Sequence, residues 1–293
     1  MELYLINKNN QVLDLLNNKN KFILSNAEAL HGVEVETSES ESPYTDGSEI
    51  DNVKALPRGI ELTLTLRGNI QQSIDFITSY VKSKQVVTLR EISNGRDITI
   101  KGIVNIPPYN RMQSLCKLVL SIYCNKPYWE DIAEVVGVID DVINLLYFPT
   151  EGQYFTANGR PFGVVNNSLT KDLINDGDTI TGALFTIAAT GEVVNPQINC
   201  DSGEQLGNYM RFNLTLQDGD ELIISTIKGN KYLTLNGSDT YNGTPLLDLL
   251  EFKGVDWLQL EQGTNKFAIT VASGQQNVYF NASYKRLYEW SHI

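Results

Sequence analysis

Residues 195–288 read as strand, tight turn, strand, with almost no interruption. Asp218-Gly219-Asp220 leads into Glu221-Leu222-Ile223-Ile224-Ser225-Thr226, and Lys228-Gly229-Asn230 leads into Lys231-Tyr232-Leu233-Thr234-Leu235, with Asn236-Gly237 directly after. Asp-Gly, Gly-Asn and Asn-Gly supply the positive φ angles of tight hairpins: glycine has no Cβ to clash there, and Asn and Asp tolerate the left-handed region. Between the turns apolar residues alternate with polar ones, the period of a strand with one buried face. Short strands at regular spacing from about Gly159 onward predict a β-sandwich. No residue set suited to catalysis falls in the stretch, so it points to a protein that holds and binds.

The earlier part of the chain is patterned differently. Residues 3–6 and 12–15 flank Asn7-Lys8-Asn9-Asn10 as a hairpin would. Residues 34–51 are acidic and too poor in apolar side chains for a core, which predicts a long exposed loop. Residues 60–66 alternate cleanly. Asn69, with Gln72 three residues on, opens a helix whose apolar stripe is Ile70, Ile74, Ile77 and Val81. Residues 86–92 and 98–104 flank Asn94-Gly95-Arg96-Asp97, a second hairpin. Residues 112–123 predict a long strand, with Leu118, Leu120 and Ile122 set against Lys117, Ser121 and Tyr123. Residues 1–129 therefore read as an α+β domain, rich in antiparallel strands with one helix.

Over residues 130–160 the pattern changes again. Ile132, Val135, Val136, Ile139, Ile143 and Leu146 recur at helical spacing between Pro127 and Pro149, with Glu130, Asp131, Glu134, Asp140 and Asp141 largely opposite. An amphipathic helical connector is expected, packed on its own core or docked on a neighbouring subunit. Residues 161–293 are then the sandwich, and the fold class is mostly β with minor α.

The chain's 293 residues, 42% of them hydrophobic, can build two domains with real cores. A net charge of -12 argues against sequence-specific nucleic-acid binding through a basic surface and against anionic membranes; it also aids solubility. Three cysteines give no disulfide framework. Cys116 and Cys124 sit near one strand, about 25 Å apart if it is extended, too far to bridge within it. Reduced assembly in a cytoplasm fits this. Residues 1–8 lack a basic stretch followed by a long apolar run, so no signal peptide is expected, and no window suggests membrane insertion.

Catalytic chemistry is scarce. The two histidines are His31, among small and apolar neighbours, and His292, next to the end. Neither fits a nucleophile–base pair, no Cys/His spacing fits zinc, and no Gly-rich loop fits a phosphate. Asp176-Gly177-Asp178 and Asp218-Gly219-Asp220 do not continue as calcium loops and read as turns. Paired carboxylates for glycan hydrolysis cannot be picked from sequence. No catalytic, cofactor or metal residue is expected, and no enzyme. Tyr279, Tyr284 and Tyr288 cluster with Trp290 near the C-terminus, and Tyr279 alternates with Val278 and Phe280. These tyrosines are the candidate interface or glycan contacts, set against ordinary edge-strand composition.

The order of motifs carries a resemblance. Asn195-Pro196-x-Ile198, Leu216-x-Asp218-Gly219-Asp220, Ile224-x-Thr226, Leu235-Asn236-Gly237 and Leu260-x-x-Gly263-x-Asn265 resemble the C-terminal half of phage distal tail proteins. Asp46-Gly47 ahead of Arg58-Gly59-Ile60, and Cys124-Asn125-Lys126-Pro127-Tyr128-Trp129 closing a long strand, resemble the N-terminal half. The likeness spans most of the chain except about 130–159. It implies an N-terminal ring-forming domain, a β-barrel-like sheet with one helix, and an outward galectin-like β-sandwich. It also implies a homo-hexameric ring that joins the tail tube protein to the tail-tip hub protein and to receptor-binding or baseplate proteins. Such a ring belongs to the virion tail tip or a phage-tail-like particle, assembled in the bacterial cytoplasm, and needs no cofactor. Residues 3–15 and the acidic stretch 34–51 are candidates for pairing with neighbours, and acid lining the ring would repel passing DNA. A glycan-binding accessory protein is the alternative, and a cell-wall glycan hydrolase the third reading.

Overall fold

Alternation of buried and exposed side chains organises both halves of the computed structural model, which describes residues 1–41, 47–108, 116–136, 142–144, 163–165, 169–254 and 257–291. The chain divides into two units, Met1–Ala133 with Leu287–Ile293, and Glu134–Arg286.

The first unit holds β1 (Glu2–Asn7), β2 (Val12–Asp14), β3 (Phe22–Glu28), β4 (Val35–Glu41), β5 (Ser48–Ala55), β6 (Arg58–Leu66), α1 (Ile70–Tyr80), β7 (Val86–Ser93), β8 (Arg96–Asn105), β9 (Lys117–Cys124) and β10 (Trp129–Asp131). Its main sheet is antiparallel, in the order β2-β1-β7-β8-β9-β6-β3. The hairpin between β7 and β8 turns on Asn94 (φ 49°) and Gly95 (φ 79°), the pair of left-handed residues its sequence promised. The second edge of β8 is shared: Ile103 faces Tyr123 of β9, while Thr99 faces Glu130 of β10. β10 is paired in turn with Leu287–Tyr288, the returning C-terminal segment. Where β8 passes from one partner to the other it needs Gly102, since a Cβ there would meet Ile122 Cγ2 at 2.6 Å and the Tyr123 carbonyl at 2.7 Å. One face of the sheet buries Leu3, Leu5, Ile60, Leu62, Leu64, Leu89, Ile100, Leu118, Leu120 and Trp129 in a single core. α1 adds Ile74 and Ile77 to that core, and its N-terminus is capped by Asn69 Oδ1, which accepts from the Gln72 amide at 3.2 Å.

Three expectations are corrected here. The barrel-like sheet does not close: β2 and β3 are its two ends. β2 is only three residues long and β3 is bulged between Leu24 and Asn26, both of which discourage further pairing. The loop expected over 34–51 is largely a ribbon, β4 paired with β5, in which β-branched Val35, Thr37, Ile50 and Val53 favour extension. Among the described residues of the expected helical connector no helix appears, and Trp129–Asp131, Val135–Val136 and Val142–Asn144 are strands. Open ladder positions on β8 and on strand Val278–Tyr284 outweigh the weak helical period of Ile132, Val135 and Val136. Residues 137–141 and 145–160, like residues 112–115, lie outside the described residues.

The second unit stacks two five-stranded antiparallel sheets. One contains Val135–Val136, Val278–Tyr284, Ala183–Ala189, Glu221–Ser225 and Tyr232–Leu235 in that order. The other contains Thr170–Asn175, Gly263–Thr270, Gln197–Cys200, Tyr209–Phe212 and Leu250–Lys253. Phe185 and Phe280 of the first stack 6.0 Å apart, and Phe185 meets Phe267 of the second edge-on at 5.2 Å. Facing apolar surfaces of this kind make a sandwich core. The turns at Gly219, Gly229 and Asn236-Gly237 all have positive φ.

Candidate functional site

The tyrosines singled out by sequence have unlike environments. Tyr279 is 45% exposed on the strand Val278–Tyr284, facing away from the core as its alternation predicts. Tyr284 is buried at 2% in the sandwich core, and its hydroxyl donates to the Ile174 carbonyl. Tyr288 is buried at 2% in the first unit, with the Arg96 guanidinium 4.5 Å above its ring. Only Tyr279 of the three offers a ring face to a partner. Trp290 is exposed, 6.2 Å from the His31 ring.

The three thiols are buried. Burial pushes Cys124 up to about 11, with Arg58 pulling the other way, and burial also raises Cys200. A neutral, enclosed thiol is a poor nucleophile. Among the described residues no group of three or more His, Cys, Asp or Glu could hold a metal ion, and no helix is long and apolar enough to cross a membrane. Asp220 serves its turn: its carboxylate accepts from the Gln217 amide at 2.7 Å and from Asn236 Nδ2 at 2.7 Å.

Arg58 is a buried cation of the first unit. It donates to the Leu30 carbonyl at 3.1 Å and to the Glu289 carbonyl at 2.9 Å, and Trp129 Nε1 donates to the same Leu30 oxygen at 3.3 Å. Desolvation lowers its pKa, partly offset by Cys124 and Glu289. The knot fastens the returning C-terminal segment to the first unit.

Two surfaces of the first unit carry apolar groups in ordered arrays. The first is the β4–β5 ribbon. Val35, Ile50 and Val53 are 57–62% exposed, and every described residue from 34 to 54 is exposed. Register puts Val35 beside Ala55, Thr37 beside Val53 and Glu39 beside Ile50, so the apolar residues share one face. Glu36 and Lys54 pair on the other. Serine–carboxylate bonds lace the ribbon: Ser48 Oγ donates to Glu39 Oε2 at 2.6 Å and Ser40 Oγ to Asp51 Oδ1 at 3.1 Å.

The second surface is the outer face of the main sheet. Val86 pairs with Ile103 and Ile103 with Tyr123, so three exposed apolar side chains form one row across β7, β8 and β9. Lys101 lies two residues from Ile103 on the same face, and Lys82 and Lys84 are exposed in the turn before Val86. Sequence reading placed Tyr123 outward, but the row exists only through cross-strand register. The available signal was Ile103 and Val86 standing out of phase with the core alternation of their strands. Neither surface can perform bond chemistry; both can bind protein.

Residues 176–288 match the family described as siphovirus-type tail component, C-terminal domain. Among solved structures, the chain is similar to the Dit protein (gp 19.1) of phage SPP1, described as a paradigm of the hub adsorption apparatus in phages infecting Gram-positive bacteria. Identity is 12%, coverage is 97% of this chain and 98% of that one, and the TM-score is 0.63. The phage P2 baseplate in its activated conformation with Ca gives 13% identity, 99% and 100% coverage and a TM-score of 0.49. The phage p2 baseplate with Sr gives 11%, 99% and 99%, and 0.47. Only the first bears on the fold. No curated protein matches the sequence.

Proposed function

We propose that this chain acts as a phage distal tail protein, working as a six-membered ring that joins the tail tube protein to the tail-tip hub protein; the family match over residues 176–288 and the likeness of fold support this. As a structural component of a phage tail it holds neighbours in place and catalyses nothing. The observation that carries the ring reading is the pair of uncovered apolar surfaces on the first unit, one on a ribbon and one on a sheet face. Two different patches on one chain suit head-to-tail contacts, which close into rings when the rotation allows. An acidic chain, -12 overall, also suits a ring through which DNA passes without sticking.

The second unit then offers its sandwich to receptor-binding or baseplate proteins. A glycan-binding role keeps Tyr279 as its exposed ring, since Tyr284 and Tyr288 are enclosed. Electron microscopy of the purified chain, alone and mixed with the tail tube protein, tests the reading. Six-fold rings that cap tube ends support it. Dispersed single chains that ignore the tube, or that instead bind saccharide, overturn it.

A further inference from the structure

We infer that the returning segment Leu287–Ser291 is a strap that docks on the first unit only when the second unit is folded, so that a chain completes its first unit last. The strap belongs to the core of the first unit. Tyr288 is 2% exposed there and pairs with Trp129, which is fully buried, while Leu287 pairs with Glu130. Arg58 holds the Glu289 carbonyl, and the Ser291 amide donates to the Leu30 carbonyl at 3.3 Å, the oxygen that Arg58 and Trp129 also reach. Yet the ladder that receives the strap is two residues long, and ordering a free segment costs conformational entropy at every residue. Occupancy of so short a ladder depends on how the rest of the chain presents the strap.

The second unit controls that presentation. The chain leaves the first unit after Ala133 and re-enters it at Leu287. Within the second unit Val135 pairs with Tyr284 and Val136 with Ser283, so its own ladder holds exit and return side by side. Ser283 Oγ donates to Glu134 Oε2 at 3.2 Å, and Thr181 Oγ1 donates to the Lys285 carbonyl at 2.9 Å, which pins both flanks. The strand Val278–Tyr284 is paired along its whole length with Ala183–Ala189, and Phe280 and Ala282 lie in the sandwich core. With the sandwich folded, only residues 132–134 and 285–286 separate this ladder from the pairing of β10 with the strap. With it unfolded, the strap is tethered through all of residues 132–286, and the entropy of closing so long a loop opposes docking. An undocked strap leaves β10 with only Ile98 and Thr99 of β8 as partners, and β8 also carries Ile103 of the outer row. A chain whose sandwich has not folded therefore presents an incomplete first unit. On the ring reading above, such a chain is kept out of rings.

Hydrogen exchange of the whole chain tests this with Phe185→Ala, a substitution confined to the sandwich core, or with the milder Phe185→Leu should the first not fold. Urea is raised until residues 183–189 exchange freely. The amides of 129–131 and 287–288 should then exchange at least tenfold faster than in the unmodified chain at the same urea, with residues 118–122 still protected. Should 118–122 open in the same step, the strap staple described next must separate the two. Glu130→Cys/Leu287→Cys joins positions paired across the ladder, within disulfide reach, and the native thiols are all buried. Once oxidised it should return 129–131 to the unmodified rate in the Phe185→Ala background, and reduction should reverse this. A strap that stays protected while 183–189 exchange freely overturns the inference, as does an oxidised staple that leaves 129–131 fast. Native mass spectrometry adds the assembly arm: multi-copy species should fall at least tenfold with Phe185→Ala and recover with the oxidised staple. Undiminished assembly by a chain with an undocked strap overturns the gating of assembly. An unmodified chain that forms no multi-copy species sinks the ring reading instead, and the exchange result still decides the strap.

Discussion

The two units treat their sheets differently. The second lays one sheet on another, so Phe185, Phe267 and Phe280 face inward, and its exposed apolar groups, such as Ile174, Leu206, Phe252 and Tyr279, fall on separate segments. The first has one main sheet with α1 on its core, and its outer face carries Val86, Ile103 and Tyr123 in register, alongside a ribbon with no covered face. Scattered exposed apolar residues are ordinary; aligned ones mark a contact surface. On the proposed reading, this difference assigns self-assembly to the first unit and leaves the sandwich to other partners.

The comparison breaks first where the core is densest. Phe185→Ala should destabilise the sandwich by about 3–5 kcal/mol, because it removes two ring contacts at a fully buried position. Denaturant unfolding checks this, and a small effect would mean the sheets are not packed as a sandwich. Arg58→Ala should cost about 2–3 kcal/mol by removing two hydrogen bonds from a charged donor at an enclosed position. Limited proteolysis near Leu287 should then accelerate.

Burial of Cys124 gives a pH test of the first unit. Its folded pKa is raised from 9.0 to about 11, so the folded state holds the proton more tightly than the unfolded one. That stability is fully present below about pH 9 and lost as pH rises toward 11, by roughly 1–3 kcal/mol. Cys124→Ala should flatten the loss in alkaline unfolding curves. Asn69→Ala should cost about 1 kcal/mol through the lost cap on α1, read from the same curves. The smallest effect sharpens the comparison most: Ile103→Ser should change folding stability by no more than about 0.5 kcal/mol while weakening self-association.

Much of this was legible from local pattern. The Asn94-Gly95 and Asn236-Gly237 turns, the Asn69 cap and the alternation of residues 60–66 all follow from short-range chemistry. At the start of the stretch where a helix was expected, Trp129–Asp131 is strand because it finds a ladder partner in β8 and another in Leu287–Tyr288, about 160 residues away in sequence. Tyr284 and Tyr288 were drawn in for the same reason: the strand pairing that buries them is long-range, whereas Tyr279 needed only its own alternation. The sheet row was invisible because register across three strands is not encoded in any one of them.

Native mass spectrometry of the purified chain tests the central claim most directly. The account predicts a species of six copies of the 32.8 kDa chain, shifted to smaller assemblies by Ile103→Lys without loss of folded signal. A single-copy species at every concentration tried, or a hexamer indifferent to that substitution, would contradict it.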